Sequence, residues 1–234
     1  MLDVVTTSFY IKSPVFEKDA FEHYSSELFD EWDAYIESYF RLPDYAVTLV
    51  IEEGSIKGKG KIAAAIAALY FGIGEYGDFI SGLHTIHEQA KYLSDALFHQ
   101  AKNRFSCVNE RGNSKKSGGE IIYLQRLFER VQAGVVTPDQ AVREVEERWG
   151  SEAVHAPDFM NRLASSLESA PQHPEQLTLS DDSWPECLDQ GALIRLPGQK
   201  VPRGPEQPIP QHYRIEISRA GKGKKKKVKL TKIK

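Results

Sequence analysis

Aromatic residues and prolines occupy different parts of this chain of 234 residues, and their separation limits where a core can form. Aromatic side chains are concentrated in residues 9–45, whereas eight of the 12 prolines lie between Pro171 and Pro210. Hydrophobic residues make up 41% of the chain, which is enough for a core at this length. We therefore predict a folded body in the first part of the chain and a proline-rich linker at residues 170–210.

The period of apolar residues changes twice within the first 53 residues. Residues 5–11 alternate between apolar and polar or small side chains, which predicts a strand. Apolar residues at spacings of three and four from Lys18 to Leu42 predict a long helix with an acidic opposite face. The β-branched run Tyr45–Ile51 predicts a second strand. These residues are therefore expected to form a β-α-β sheet unit.

Helical patterns dominate the middle of the chain. We predict an alanine-rich buried helix at 62–71, an amphipathic helix at 79–102 and a further helix at 158–167. Residues 120–133 and 138–149 are expected to form a helical hairpin, because Gly134 suits a helix C-terminus, Thr137 an N-cap and Pro138 the first helical position.

The sequence thus predicts an α+β protein with a basic β-type C-terminal tail, in which Tyr213–Ile217 and Val228–Leu230 alternate with charges. The expected organisation is an N-terminal α+β domain (1–105), an exposed loop (106–119), a helical hairpin region (120–169), the linker (170–210) and the tail (211–234).

Charge is distributed very unevenly. The whole chain has 30 Lys and Arg against 33 Asp and Glu, whereas residues 211–234 have ten basic residues and only Glu216 as an acid. The other 210 residues therefore hold 20 basic residues against 32 acidic ones. A segment this basic favours DNA, RNA or an acidic protein surface as its partner. The predicted contact residues are Arg214, Arg219, Lys222, Lys224, Lys225, Lys226, Lys227, Lys229 and Lys232.

Two glycine-rich segments are candidates for binding phosphate. The first follows a predicted strand and combines glycines with lysines, which suits an anion-binding loop, but no Gly-Lys-Ser/Thr closes it. Its residues are Gly54, Lys57, Gly58, Lys59, Gly60 and Lys61. The second, Gly72–Gly77, matches the dinucleotide pattern G-x-G-x-x-G, with Asp95 about twenty residues further on. It lacks the strand that should precede the glycines, so we predict no cofactor.

The helical hairpin is predicted to dock protein partners through an apolar seam. Its second helix is acidic overall, which excludes a DNA-recognition helix lying against phosphates. Leu-x-x-Leu-Phe at 124–128 and the turn Gly-Val-Val-Thr at 134–137 resemble short bacterial oligomerisation hairpins over about thirty residues, and self-association of the chain stays open. The predicted docking residues are Leu124, Leu127, Phe128, Val131, Val142 and Val145.

Signals for metal binding and catalysis are weak. His84 with Glu88 and Asp95 with His99 are i, i+4 pairs on one predicted helix, but Lys91 would lie between them and disfavour a cation. No Gly-x-Ser-x-Gly elbow occurs, and neither cysteine has a histidine near it in sequence. We therefore predict no metal and no catalytic residue, although a site assembled from distant segments stays open.

The two cysteines, Cys107 and Cys187, are too few for a disulfide framework, and Met1–Lys12 lacks the pattern of a signal peptide. Both features favour a cytoplasmic protein. The longest apolar run, Ile62–Ile73, would span only about 18 Å as a helix, against a hydrocarbon core of about 30 Å. A membrane partner is therefore disfavoured.

Together these features predict a non-catalytic component of a macromolecular assembly, whose acidic body and hairpin dock proteins while the tail contacts nucleic acid or an acidic surface. Deleting residues 211–234 should then leave the body folded. Two alternatives stay open: a nucleotide- or phosphate-binding enzyme or sensor that uses Gly54–Lys61, and a membrane-active effector that uses residues 62–73.

Overall fold

The computed structural model describes residues 1–74, 78–170 and 213–233, and it confirms the α+β class. In chain order the elements are β1 (Leu2–Ile11), α1 (Lys18–Tyr39), β2 (Ala46–Glu52), β3 (Ile56–Ala64), α2 (Ile66–Gly74), α3 (Phe79–Arg104), β4 (Gly112–Ser117), α4 (Gly119–Gln132), α5 (Pro138–Trp149), α6 (Ser151–Val154), α7 (Pro157–Glu168), β5 (Tyr213–Arg219) and β6 (Lys227–Lys232). The linker predicted at 170–210 lies almost entirely outside the described residues.

The six strands of the described ranges form one antiparallel sheet with the order β4-β1-β3-β2-β5-β6. β1 and β2 both pair antiparallel with β3, so they run parallel to each other with β3 between them. The N-terminal β-α-β unit is therefore present, with a third strand inserted between its two strands.

Helices α1 and α3 pack against one face of this sheet. Alternate residues of β2 and β5, such as Leu49, Ile51 and Ile217, are fully buried on that side. Trp32 of α1 is also buried, and its indole Nε1 donates a hydrogen bond to the carbonyl of Leu93 on α3 at 3.1 Å. The periodicities predicted for β1, α1, β2 and α3 thus match a helix layer on a sheet.

The prediction of a loop at Gly54–Lys61 is wrong, because most of this segment forms β3 in the centre of the sheet. Its glycines leave room for large side chains of the core. A Cβ at position 58 would lie 1.9 Å from the Phe9 ring, and one at position 60 would lie 2.4 Å from Leu97 and 2.8 Å from Trp32. These glycines are therefore required for close packing, and they do not form a flexible loop.

Two further boundaries differ from the sequence prediction. The alanine-rich segment 62–71 is divided between the end of β3 and the start of α2. The predicted exposed loop 106–119 contains β4, which pairs with β1. β4 is an edge strand whose residues are nearly all exposed, so it has no apolar alternation by which the sequence could reveal it.

The helical hairpin is confirmed, including its caps. Thr137 and Gln140 form a capping box at the start of α5, and Gly134 has a φ of 69° after α4. Leu124, Leu127, Phe128, Val131 and Val145 are at most 3% exposed, and Val142 packs against the same core. The predicted docking seam therefore lies inside this chain and is not exposed to a partner.

One buried apolar cluster includes side chains from the sheet, β5 among its strands, and from helices α1 to α5 and α7. It also contains Ile62, Ile66, Leu69 and Ile73, so the segment suggested as a membrane-active element is part of the core. Within the described ranges, no helix combines the length and apolar content needed to cross a bilayer.

Candidate polyanion-binding face

The face of the sheet opposite α1 and α3 carries three rows of mostly polar side chains, and we call it the open face. The registers between neighbouring strands define each row from β4 to β6. The first row is Ser117, Thr6, Lys61, Thr48, Ser218 and Lys227. The second is Lys115, Ser8, Lys59, Val50, Glu216 and Lys229. The third is Asn113, Tyr10, Lys57, Glu52, Arg214 and Thr231.

Cations outnumber carboxylates on this surface. Two cations of the open face form ion pairs with described residues: Lys61 Nζ lies 3.5 Å from Asp3 Oδ2, and Arg214 Nη1 lies 3.8 Å from Glu52 Oε1. The other five cations are exposed and form no ion pair with a described residue. They are Lys57, Lys59, Lys115, Lys227 and Lys229. The open face is therefore a broad positive surface.

The sequence of β3 accounts for the centre of this surface. In Lys57–Lys61 lysines alternate with glycines, and alternate residues of a strand point to opposite faces. The lysines therefore share the open face, while Gly58 and Gly60 face the helices. This alternation was the signal that sequence reasoning missed, because glycine is uncommon inside strands.

The C-terminal basic segment forms two strands of the sheet and contacts α1 of its own chain. Arg219 is 6% exposed, contacts Asp33, and has its guanidinium carbon 5.1 Å from the centre of the Tyr45 ring. Burial raises the pKa of the Tyr45 phenol, so this ring stays neutral beside the cation. Arg219, which the sequence predicted to contact a partner, therefore has a structural role within the chain.

Two other predicted contact residues also pair with α1. Lys226 Nζ lies 2.6 Å from a carboxylate oxygen of Asp30, and Lys222 Nζ lies 3.7 Å from Glu37. Arg104 of α3 forms ion pairs with two further acidic residues of α1. Its Nη1 lies 3.2 Å from Glu27 Oε2, and its Nε lies 2.7 Å from Glu31 Oε2. Much of the acidic face of α1 is therefore neutralised within the chain.

The remaining predicted contact residues stay exposed, at three different places. Arg214, Lys227 and Lys229 lie on the open face. Lys224 and Lys225 lie in the turn between β5 and β6. Lys232 pairs with Tyr213, and this register places it on the side of the sheet that faces the helices. The structure thus unites part of the basic segment with the lysines of β3, although the sequence suggested two separate sites.

The two glycine-rich segments lie in regular elements as far as the structure describes them. The lysines of Gly54–Lys61 project from an extended strand, so its backbone does not curl into an anion cradle. Gly72 lies in α2, where a Cβ would lie 2.4 Å from Leu42, and a helix thus precedes the glycine pattern. Residues 75–77, which complete the pattern, lie outside the described residues.

Among the described residues, the histidines of α3 are not grouped with further metal ligands. His84, His87 and Glu88 line a groove of about 430 Å³ against α4, and burial lowers the pKa of His87. Asp95 pairs with Lys116 of β4 at 2.5 Å. In the part of the chain that the structure describes, no three His, Cys, Asp or Glu side chains are grouped to hold a metal ion.

Comparison with protein-family models, with curated proteins and with solved structures found no match. The physical properties of the surface are therefore the basis for a functional assignment. The open face holds five exposed lysines that form no ion pair with a described residue, and we take it as the candidate site.

Proposed function

We propose that the open face binds the phosphate backbone of a nucleic acid, and that the protein is a non-catalytic component of a nucleoprotein assembly. The observation that supports this proposal most directly is the group of exposed lysines without ion pairs, Lys57, Lys59, Lys115, Lys227 and Lys229. Like charges held on a rigid sheet repel one another, and a polyanion relieves this repulsion while it releases its counterions.

The shape of the surface favours an extended ligand over a small anion. The cations are spread over β3, β4, β5 and β6, and strands lie about 4.8 Å apart, so the sheet is roughly 24 Å wide. A small phosphate ligand needs several donors converging on one point. A chain of phosphates can instead contact separate lysines, each of which acts as a point charge on a flexible stem.

The hydroxyl side chains between the lysines support the same proposal. Thr6, Ser8, Thr48 and Ser218 lie in the two rows that contain Lys59 and Lys61. Side chains of this kind commonly donate hydrogen bonds to phosphate and sugar oxygens. Such contacts position a backbone without reading its sequence, so we expect binding with little sequence preference.

A matched pair of double variants tests the proposal. K59Q/K229Q removes two exposed charges from the open face, whereas K18Q/K91Q removes two exposed charges from α1 and α3 and changes the net charge equally. Binding to a labelled single strand of about 20 nucleotides is measured by fluorescence anisotropy from low to moderate salt. We expect K59Q/K229Q to lower the slope of log affinity against log salt by about 1.4, because each lost phosphate contact removes about 0.7.

The control variant should keep the wild-type slope. Equal effects of the two variants would show that only net charge matters, and would contradict a site on the open face. Absence of salt-sensitive binding by the wild-type protein would overturn the proposal. Displacement of the oligonucleotide by an equal charge concentration of poly-glutamate would favour an acidic protein as the ligand and also count against it.

A further inference from the structure

Tyr10 is the only aromatic side chain on the open face of the described residues. The residue is 36% exposed, and its hydroxyl donates a hydrogen bond to Ser55 Oγ at 3.2 Å. In the sheet it lies directly between Lys57 on β3 and Asn113 on β4. An aromatic ring with a fixed hydroxyl therefore lies among the lysines of the proposed nucleic-acid surface.

We propose, on the basis of the proposed function, that Tyr10 stacks against an unpaired base and that the ligand is single-stranded nucleic acid. Any base offers a flat π face, so a tyrosine among cations binds single strands with little sequence preference. Bases in a duplex are stacked on one another and expose only their edges to the grooves. A tyrosine on the surface of a sheet does not reach the faces of these stacked bases, so Tyr10 contributes nothing to duplex binding.

The neighbours of Tyr10 match the other parts of a nucleotide. Side chains directly opposite on paired strands lie about 5 Å apart, so Lys57 reaches a phosphate next to the stacked base. Asn113 carries an amide that both donates and accepts hydrogen bonds, as a base edge requires. The hydrogen bond to Ser55 restrains the ring before binding, which lowers the entropic cost of stacking.

The test compares Y10L and Y10F with the wild-type protein on three ligands: a single strand of about 20 nucleotides, a duplex of the same length, and inorganic polyphosphate. We expect Y10L to bind the single strand roughly 5- to 100-fold more weakly at fixed salt, with the salt slope unchanged. Its affinity for duplex and polyphosphate should equal that of the wild-type protein. Y10F keeps the ring, so its affinity for the single strand should change less than about threefold.

Y92L is the matched control, because Tyr92 is 47% exposed on the helix layer, away from the open face. Thermal unfolding of each variant confirms that it is folded before binding is measured. If Y10L binds the single strand as tightly as the wild-type protein while K59Q/K229Q binds it more weakly, the stacking inference is overturned and the proposed function stands. If the wild-type protein binds none of the three ligands, both proposals fail.

Discussion

Arg219 of β5 contacts the carboxylate of Asp33 on α1, although their positions in the chain differ by 186. Both side chains are largely buried, with 7% of the arginine side chain and 21% of the aspartate side chain exposed. The contact joins the C-terminal hairpin to the N-terminal helix over the buried ring of Tyr45. The basic segment is therefore part of the folded body, so its mutation or removal should lower the stability of the fold.

Replacing Arg219 should destabilise the protein strongly. R219M leaves Asp33 without its partner in a partly buried position, and we expect it to lower the free energy of unfolding by about 2–4 kcal/mol. Denaturant unfolding measures this change. Hydrogen exchange should show lost protection in β5 and β6. R214M is the control, because the side chain of Arg214 is 49% exposed and its pair with Glu52 should be worth less than about 1 kcal/mol. Equal losses for the two variants would contradict the proposed role of Arg219.

Removing residues 213–234 should destabilise the body, contrary to the expectation from sequence. Ile215 and Ile217 are fully buried against the helix layer, and each contributes about 1.5–3 kcal/mol by burial. Deletion also leaves the edge of β2 unpaired. A lower thermal midpoint and stronger binding of a hydrophobic dye are expected. A shorter deletion that begins at Lys222 retains β5 and should cost less, since β6 is mostly exposed. A truncated body as stable as the full chain would show that the hairpin is dispensable.

Gly60 should not tolerate a side chain, although its neighbours Lys59 and Lys61 both lie on the open face. A Cβ at this position would lie 2.4 Å from Leu97 and 2.8 Å from the buried Trp32. We expect G60A to lower the free energy of unfolding by about 1–3 kcal/mol through overpacking. The neighbouring variant K59A changes the open face only, and its stability should lie within about 0.5 kcal/mol of wild type. Unfolding in urea compares the two, and an unaffected G60A would contradict the packing of β3 against the helices.

Glu120 should make stability depend on pH. Burial opposes ionisation of this carboxyl, but hydrogen bonds from Arg148 at 2.7 and 2.9 Å and from Trp149 at 2.9 Å outweigh it, so its pKa lies below the ordinary 4.5. A lowered pKa contributes stability above the unfolded value that is lost as the pH falls through the folded value. We expect E120Q to be about 1–3 kcal/mol less stable at neutral pH, with the difference shrinking below about pH 4.5.

E144Q is the control for this pH profile. Glu144 accepts two hydrogen bonds from Arg130, at 2.8 and 3.0 Å, but this pair is exposed to solvent and is therefore screened. Its loss should change stability much less than the loss of Glu120 does. Thermal unfolding from acidic to neutral pH distinguishes the two variants. A constant difference between E120Q and the wild-type protein at every pH would show that the charge of Glu120 does not stabilise the fold.

Local patterns were sufficient for several elements of the fold. The three- and four-residue spacing in Lys18–Tyr39 and the Thr137 cap of α5 depend on residues close together in sequence, and both were predicted. The α+β class follows from the same patterns. Of the candidate site, the sequence identified the lysines of β3 and of the C-terminal segment, but as two separate sites.

The sequence by itself determined which segments can be helical, which can alternate as strands, and where positive charge accumulates, because these properties depend only on neighbouring residues. Only the tertiary structure decided that the glycines of β3 pack under Phe9 and Trp32, and that Arg219 is buried on Asp33 while Lys229 stays exposed. The physical reason is distance along the chain. Burial and charge pairing are set by partners that come from remote segments, and a one-dimensional pattern does not specify which segments meet.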